Sequence, residues 1–179
     1  MALADKLVLN VVDASAISVM NQVKSQSLRG TLIPFHPVSN RIAALIDVVI
    51  NATGGQQRSI GVLRLWGHGM LDGPGGSATM VSDDEQGWGG FSLKEMLDDA
   101  VLRVLPRLQP YFAVGARVEF KHCRVATKAG WDWLVYLSDQ WGVEIHASDR
   151  LQHLCSWSGE VLTFKPGRSP GRVRGIDPT

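Results

Sequence analysis

The sequence predicts an α/β fold, a three-layer α/β/α sandwich built on a mostly parallel central sheet. Three observations lead there. Ile60-Gly-Val-Leu-Arg-Leu-Trp66 is a near-continuous apolar run with little alternation, the pattern of a strand covered by helices on both faces. Strand-like and helix-like stretches alternate along the chain, an order that gives parallel pairing through helical crossovers. Finally, 179 residues of near-average apolar content suffice for one full core, so residues 1–164 read as a single domain.

Taken in order, Lys6-Leu-Val-Leu-Asn-Val-Val12 is β-branched and apolar, a first strand, and Asp13-Ala-Ser15 supplies a turn or cap. Ala16 to Lys24 reads as a short helix, and Gly30 to Phe35 as a second strand that Pro34 assigns to the sheet edge. Ser39 is placed to cap a helix whose Ile42, Leu45, Ile46, Val49 and Ile50 share one face, and Gly54 and Gly55 end it. The central strand then runs from Ile60 to His68. Residues 69–90 hold seven glycines, Pro74 and the acidic trio Asp83-Asp84-Glu85, and read as a long loop.

Ser92-Leu-Lys-Glu95 has the form of a capping box that opens an amphipathic helix through Leu105, with Pro106 and Pro110 stopping it. Arg117 to His122 alternates more, but its place after a helix argues for another parallel strand, ending at Cys123. A helix from Trp131 to near Gly142, a strand Val143–Ala147, and a hairpin of Leu151–Trp157 with Glu160–Phe164 complete the domain. Residues 165–179, with three prolines, three glycines, three arginines and no apolar period, read as an extended or disordered basic tail.

A formal net charge of +1 creates no dominant field, so neither nucleic acid nor an anionic membrane is an expected partner. Met1-Ala-Leu-Ala-Asp-Lys6 lacks the basic start and apolar core of a signal peptide, and no run reaches transmembrane length. The expected location is the cytoplasm, or the outside by export without such a peptide. Two cysteines, Cys123 and Cys155, are too few for a disulfide framework. The six tryptophans are expected in the core or beside a site, Trp66 and Trp88 being nearest the cleft proposed below.

Two successive strand ends carry His68 and Cys123, and right-handed crossovers bring both to one edge of a parallel sheet. An imidazole beside a thiol is the minimum for nucleophilic acyl transfer, in which the thiolate attacks a carbonyl and the histidine manages the proton. The amides of Gly69 and Cys123 lie where an oxyanion would be held. Lys121, His122 and Arg124 flank the thiol, and would lower its pKa if their side chains turned towards it.

Leu65-Trp-Gly-His-Gly69, together with Val118-Glu-Phe-Lys-His-Cys-Arg-Val-Ala126 and the helix after it, resembles the caspase-like cysteine peptidases. The likeness is to small bacterial caspase-like domains whose Cys strand is followed by Val-Ala, a Gly-started helix and a strand ending in Ala-Ser. Here these are Val125-Ala126, Gly130 onwards and His146-Ala-Ser148, and the resemblance spans Ile60 to Phe164. It implies a dyad with Cys123 as nucleophile and His68 as general acid–base, an oxyanion hole at Gly69 and Cys123, and a protein or peptide substrate. No cofactor or metal is implied. The family builds substrate pockets from the strand and loop after the Cys helix, which points to Ser148 and Asp149, with Trp66 beside the cleft. Were Asp149 to face inwards, a basic P1 side chain would be favoured. The departure is His122, where the family usually has a small residue; a bulky ring there would narrow the cleft.

Other readings compete with this one. His68 and Cys123 are also what a buried core would hold, in which case the chain is a catalytically inactive binding or scaffold domain. A zinc site drawn from His68, His122, Cys123, His146, His153 and Cys155 lacks the close ligand spacing of structural zinc. Asp83-Asp84-Glu85 lacks the regular oxygen spacing of an EF-hand loop, Gly73 to Gly76 lacks the Lys-Ser/Thr of a phosphate loop, and His36 reads as a surface residue.

Overall fold

The chain's apolar runs assemble into a layered α/β structure, seen in a computed structural model that describes residues 5–14, 16–36, 41–72, 76–81, 98–150 and 160–173. Its strands, among the described residues, are β1 (Leu7–Asp13), β2 (Thr31–Phe35), β3 (Ile60–Trp66), β4 (His68–Asp72), β5 (Gly76–Val81), β6 (Phe112–Lys121), β7 (Glu144–Ser148), β8 (Val161–Phe164) and β9 (Gly171–Val173). Seven of them form one sheet of order β2-β1-β3-β6-β7-β8-β9, while β4 and β5 pair separately. Within the sheet β1, β2, β3, β6 and β7 are parallel; β8 is antiparallel to β7, and β9, antiparallel to β8, runs in the direction of the parallel set. The helices described are α1 (Ile17–Lys24), α2 (Arg41–Ala52), α3 (Asp99–Val104) and α4 (Lys128–Trp141). This is the three-layer α/β/α sandwich that the apolar runs predict.

The register shows why the layers form. Leu9, Leu63, Val118, Ile145 and Phe164 lie in one row across five strands, and Val11, Leu65, Phe120, Ala147 and Leu162 in another. Because side chains alternate between faces, both rows point to the same side. There they meet Leu45, Ile46 and Val49 of α2, Val101 of α3, and Trp133, Leu134 and Leu137 of α4. The Trp141 indole N–H donates to the Leu105 carbonyl at 3.0 Å, tying α4 to the 3₁₀ segment Leu105–Tyr111 that Pro106 and Pro110 shape.

The intervening row is polar. Asn10, Arg64, Glu119, His146 and Thr163 are register partners across the sheet and face the other side. All five are buried. On that face the polar row is flanked by apolar pairs, Val8 with Val62 towards the amino edge and Val12 with Trp66 towards the carboxyl edge, where Met20 and Val23 of α1 pack. The sheet therefore has one hydrocarbon face and one crossed by a buried polar and ionic row, rather than two apolar ones.

Pro34 does sit on the edge strand β2, opposite Val12. Gly30, just before it, has φ of +109°, and a Cβ there would lie 2.2 Å from the Val8 carbonyl oxygen. Gly30→Ala is expected to cost about 2 kcal/mol or more, read as a lower urea midpoint; an unchanged midpoint would mean that the β1–β2 crossover relaxes freely. A second glycine with positive φ, Gly115 at 77°, lies where β3 and β6 change register between Ile60/Phe112 and Val62/Arg117. The extra residues bulge outwards and leave Val114 exposed.

Four expectations need correction. Within the expected loop 69–90, residues 69–72 and 76–81 are strand, because β4 and β5 pair as an antiparallel ribbon. Pro74 and residues 82–90 lie outside the described residues. The expected helix to Leu105 does not run unbroken through Asp98, whose extended backbone and side chain, accepting from the Ala100 N–H at 2.7 Å, cap the helix Asp99–Val104. β8 pairs with β7 and β9, not with Leu151–Trp157, which lies outside the described residues, as do Ser39, Asp83 to Glu85, Trp88 and the Ser92–Glu95 box. The stretch after Lys165 is not a free tail up to Val173. Lys165 Nζ meets Glu144 Oε1 at 2.7 Å, the Gly167 N–H donates to Asp139 at 2.7 Å, and β9 joins the sheet. That pairing uses backbone groups and needs no apolar period, so composition gave no sign of it.

Candidate active site

The parallel pair β3 and β6 ends at the same level, Trp66 opposite Lys121. His68 and Cys123 each follow two residues later, at the carboxyl edge where open α/β sheets bind ligands. Neighbouring strands run about 4.8 Å apart, so the register delivers the imidazole-bearing and thiol-bearing segments side by side. His68 is partly buried and starts β4, and a register irregularity separates it from Gly69. Cys123 is partly exposed and carries a thiol rather than a disulfide.

The backbone turns sharply just after the thiol. Arg124 has φ of 54°, a left-handed conformation that costs a non-glycine residue about 1–2 kcal/mol. Two bonds hold the turn in place: the Arg124 N–H donates to the Arg150 carbonyl and the Ala126 N–H to the Ser148 carbonyl, both at 2.9 Å. The segment after β6 is thus clamped against the segment after β7. Strain of this kind persists only where surrounding structure enforces it, and it clusters at functional sites.

The charged neighbours of the thiol are occupied elsewhere. Lys121 Nζ lies 3.4 Å from Glu119 Oε2 and 5.7 Å from the centre of the Trp66 ring. Glu119 also receives Arg64 Nε at 3.1 Å and Arg117 Nε at 2.7 Å. Burial alone would raise the Glu119 carboxyl, but Lys121, Arg64 and Arg117 outweigh it and hold it below the usual carboxylate value. Lys121 itself falls to about 8, because burial and the two arginines outweigh the attraction of Glu119. Arg124 is exposed.

His122 does not narrow the cleft. Its ring is fully buried, turned to the same face as Phe120 at 5.9 Å between ring centres, and neither ring nitrogen has a hydrogen-bond partner. Burial pushes its pKa down to about 3, and the nearby charge of His68 adds to that. The two imidazoles thus sense each other across the two strand ends.

The remaining site residues separate into packing and pocket. Trp66 is buried against Val12, Met20 and Val23, with its indole N–H donating to Asn10 Oδ1 at 3.3 Å; it supports the edge from beneath. Ser148 is buried, and its hydroxyl accepts from the Arg150 N–H at 3.2 Å. Asp149 lines a cavity of about 340 Å³ together with Ala126, Thr127, Trp131 and Glu160. Thr127 and Glu160 had no signal in the sequence, since they meet only through the fold. Among the described residues, no three His, Cys, Asp or Glu side chains converge to hold a metal ion, and no helix is long and apolar enough to cross a membrane. His153 and Cys155 lie outside the described residues.

Neither a protein-family model nor a curated protein matches this chain.

Proposed function

We propose that this protein is a cysteine peptidase of caspase-like type, with Cys123 as nucleophile and His68 as general acid–base. The observation that carries the reading is the level ending of β3 and β6, with His68 and Cys123 each two residues past the last register pair. The left-handed turn at Arg124 supports it, since it stores strain beside the thiol and is clamped in place by two backbone bonds.

On this reading the Cys123 thiolate attacks the scissile carbonyl, and the amides of Gly69 and Cys123 receive the oxyanion. His68 gives its proton to the departing amine, leaving an acyl-thioester. It then takes a proton from the water that hydrolyses the thioester, which restores the thiol–imidazole pair. Partial exposure of Cys123 leaves an approach for a peptide.

Alkylation by iodoacetamide at pH 7, followed residue by residue by mass spectrometry, tests the dyad. Cys123 is expected to react about tenfold faster or more than Cys155, because a histidine-paired thiol holds more thiolate. His68→Ala should bring Cys123 down to the slower rate. Equal, slow modification of both cysteines in the unaltered protein would replace the peptidase reading with a catalytically inactive binding domain.

A further inference from the structure

The buried ring next to the thiol makes no bond that would explain it. His122 is fully buried, and both its nitrogens lack a hydrogen-bond partner. Packing does not call for an imidazole. The ring lies against Phe120, which meets Trp133 of α4 edge-on at 5.4 Å between ring centres, so a phenylalanine would fill the place and leave no polar atom stranded. An unsatisfied polar group kept in such a place costs stability, and its retention points to a bond made at another stage of the protein's work.

The strand ends say what that bond reaches. Trp66 and Lys121 form the last register pair of β3 and β6; Gly67 follows the first and His122 the second. One residue beyond Gly67 is His68, whose backbone on this strand spacing lies about 6 Å from that of His122. Gly67 is buried and carries no side chain, so it puts no Cβ in the way of the His122 ring. The charge that acts on that ring is the one on His68, and burial holds its pKa down at about 3. At neutral pH His122 is therefore uncharged, with one nitrogen protonated and the other a bare acceptor.

We propose that His122 is a positioning residue for His68, its bare nitrogen accepting the ring N–H that the His68 imidazolium turns away from Cys123. This rests on the peptidase reading of His68 and Cys123. When the Cys123 thiol passes its proton to His68, the imidazolium carries two N–H groups. One faces the thiolate and the other needs an acceptor, the part that a third group plays for the histidine base of other nucleophilic sites. A carboxylate in that part brings a full charge. A buried imidazole brings a lone pair and stays neutral, because a second proton would set two like charges side by side. The bond is open in this structure, and hydrogen bonds of catalytic groups commonly tighten only as the reaction proceeds. Phe120 and Trp133 hold the His122 ring from the core side, so the acceptor is fixed before it is needed.

The pairing can be read without catalysis. In the full-length Cys123→Ala protein, proton uptake by His68 is followed through its Cε1 proton resonance by NMR, with and without His122→Phe. Because His122 is neutral over this range, the substitution removes an acceptor and no charge, and it keeps the bulk of the ring. His68 is expected to bind its proton about tenfold more weakly in His122→Phe, as for loss of a charge-assisted hydrogen bond. His122→Asn and His122→Gln carry an amide oxygen near the places of Nδ1 and Nε2, and one of them should restore most of that affinity. With Cys123 present, its alkylation by iodoacetamide at pH 6 should slow about tenfold in His122→Phe, since the thiolate depends on the imidazolium. Proton binding at His68 that is unchanged or tighter in His122→Phe, or a loss that neither amide restores, would overturn the assignment and leave the ring a packing residue. If His68 responds as expected while Cys123 of the unaltered protein alkylates no faster than Cys155, the histidine pair stands and the peptidase reading falls. Fast Cys123 alkylation that is indifferent to His122→Phe would keep the dyad and remove His122 from it.

Discussion

Glu119→Gln is expected to destabilise the protein by about 3–5 kcal/mol at pH 7, measured from urea unfolding. The size follows from what the carboxylate neutralises. Arg64, Arg117 and Lys121 all lie within 3.4 Å of its two oxygens, and the Arg64 and Lys121 side chains are buried along with it. Glutamine keeps the shape and leaves these cations facing one another without the opposing charge. Taking one partner from a buried ionic cluster costs more than the cluster contributes over an apolar one, because the remaining charges cannot regain water. The pH dependence has a definite sign. The Glu119 carboxyl is held below its unfolded value of 4.5, so its contribution is complete above that value and is lost as pH falls through the lower, folded one. A loss below about 1 kcal/mol in Glu119→Gln would mean that the cations find water or other partners, and a double-mutant cycle with Arg64→Met would show which.

His122→Phe is expected to make the protein more stable in acid. The native state keeps His122 neutral down to about pH 3, whereas the unfolded chain takes up the proton near 6.5. Stability from this group is full above pH 6.5 and falls by about 1.4 kcal/mol per pH unit on the way down. At pH 4 the accumulated penalty is on the order of 3 kcal/mol. Phenylalanine fills similar space against Phe120, carries no orphaned nitrogens, and removes this pH dependence. Because other groups, Glu119 among them, also add to the acid dependence, the informative quantity is the difference between the two proteins at about pH 7, 5.5 and 4. If the two stability curves run parallel, the native state takes up the proton at His122 and burial does not keep the ring neutral.

Much of the architecture was legible in the sequence. The strand–helix rhythm and the apolar runs were enough for the layers; His68 and Cys123 were expected at consecutive strand ends, whereas β4, which His68 starts, and β5 lie between β3 and β6 in the chain. The ionic face was half visible. Arg117, Glu119 and Lys121 alternate with Val118 and Phe120, and Arg64 is the one charge in an otherwise apolar β3, yet nothing local says that these residues meet. Their partnership depends on the order of strands. The ribbon of β4 and β5 was hidden by glycine and proline, which mark a turn equally well inside a loop or between two strands. Arg124 was beyond reach for a different reason: a left-handed backbone at a non-glycine residue is imposed by tertiary bonds and leaves no trace in residue type. The same holds for Thr127 and Glu160, which come from separate parts of the chain and become neighbours only once α4 and β8 are in place.

Parallel strands with apolar side chains on one face can slide past each other by two residues and still look correct to the hydrocarbon core. The bulge around Gly115 makes such a shift more accessible between β3 and β6, because slack chain is already present there. The Arg64–Glu119 pair forbids it. Sliding by two would set Glu119 against Val62 or Trp66 and Arg64 against Lys121 or Arg117, cation facing cation, so the strands have a single permitted setting. The ionic row thus works as a locating pin: it fixes how far each strand extends, and with that it fixes the relative height of the histidine and the cysteine several residues beyond.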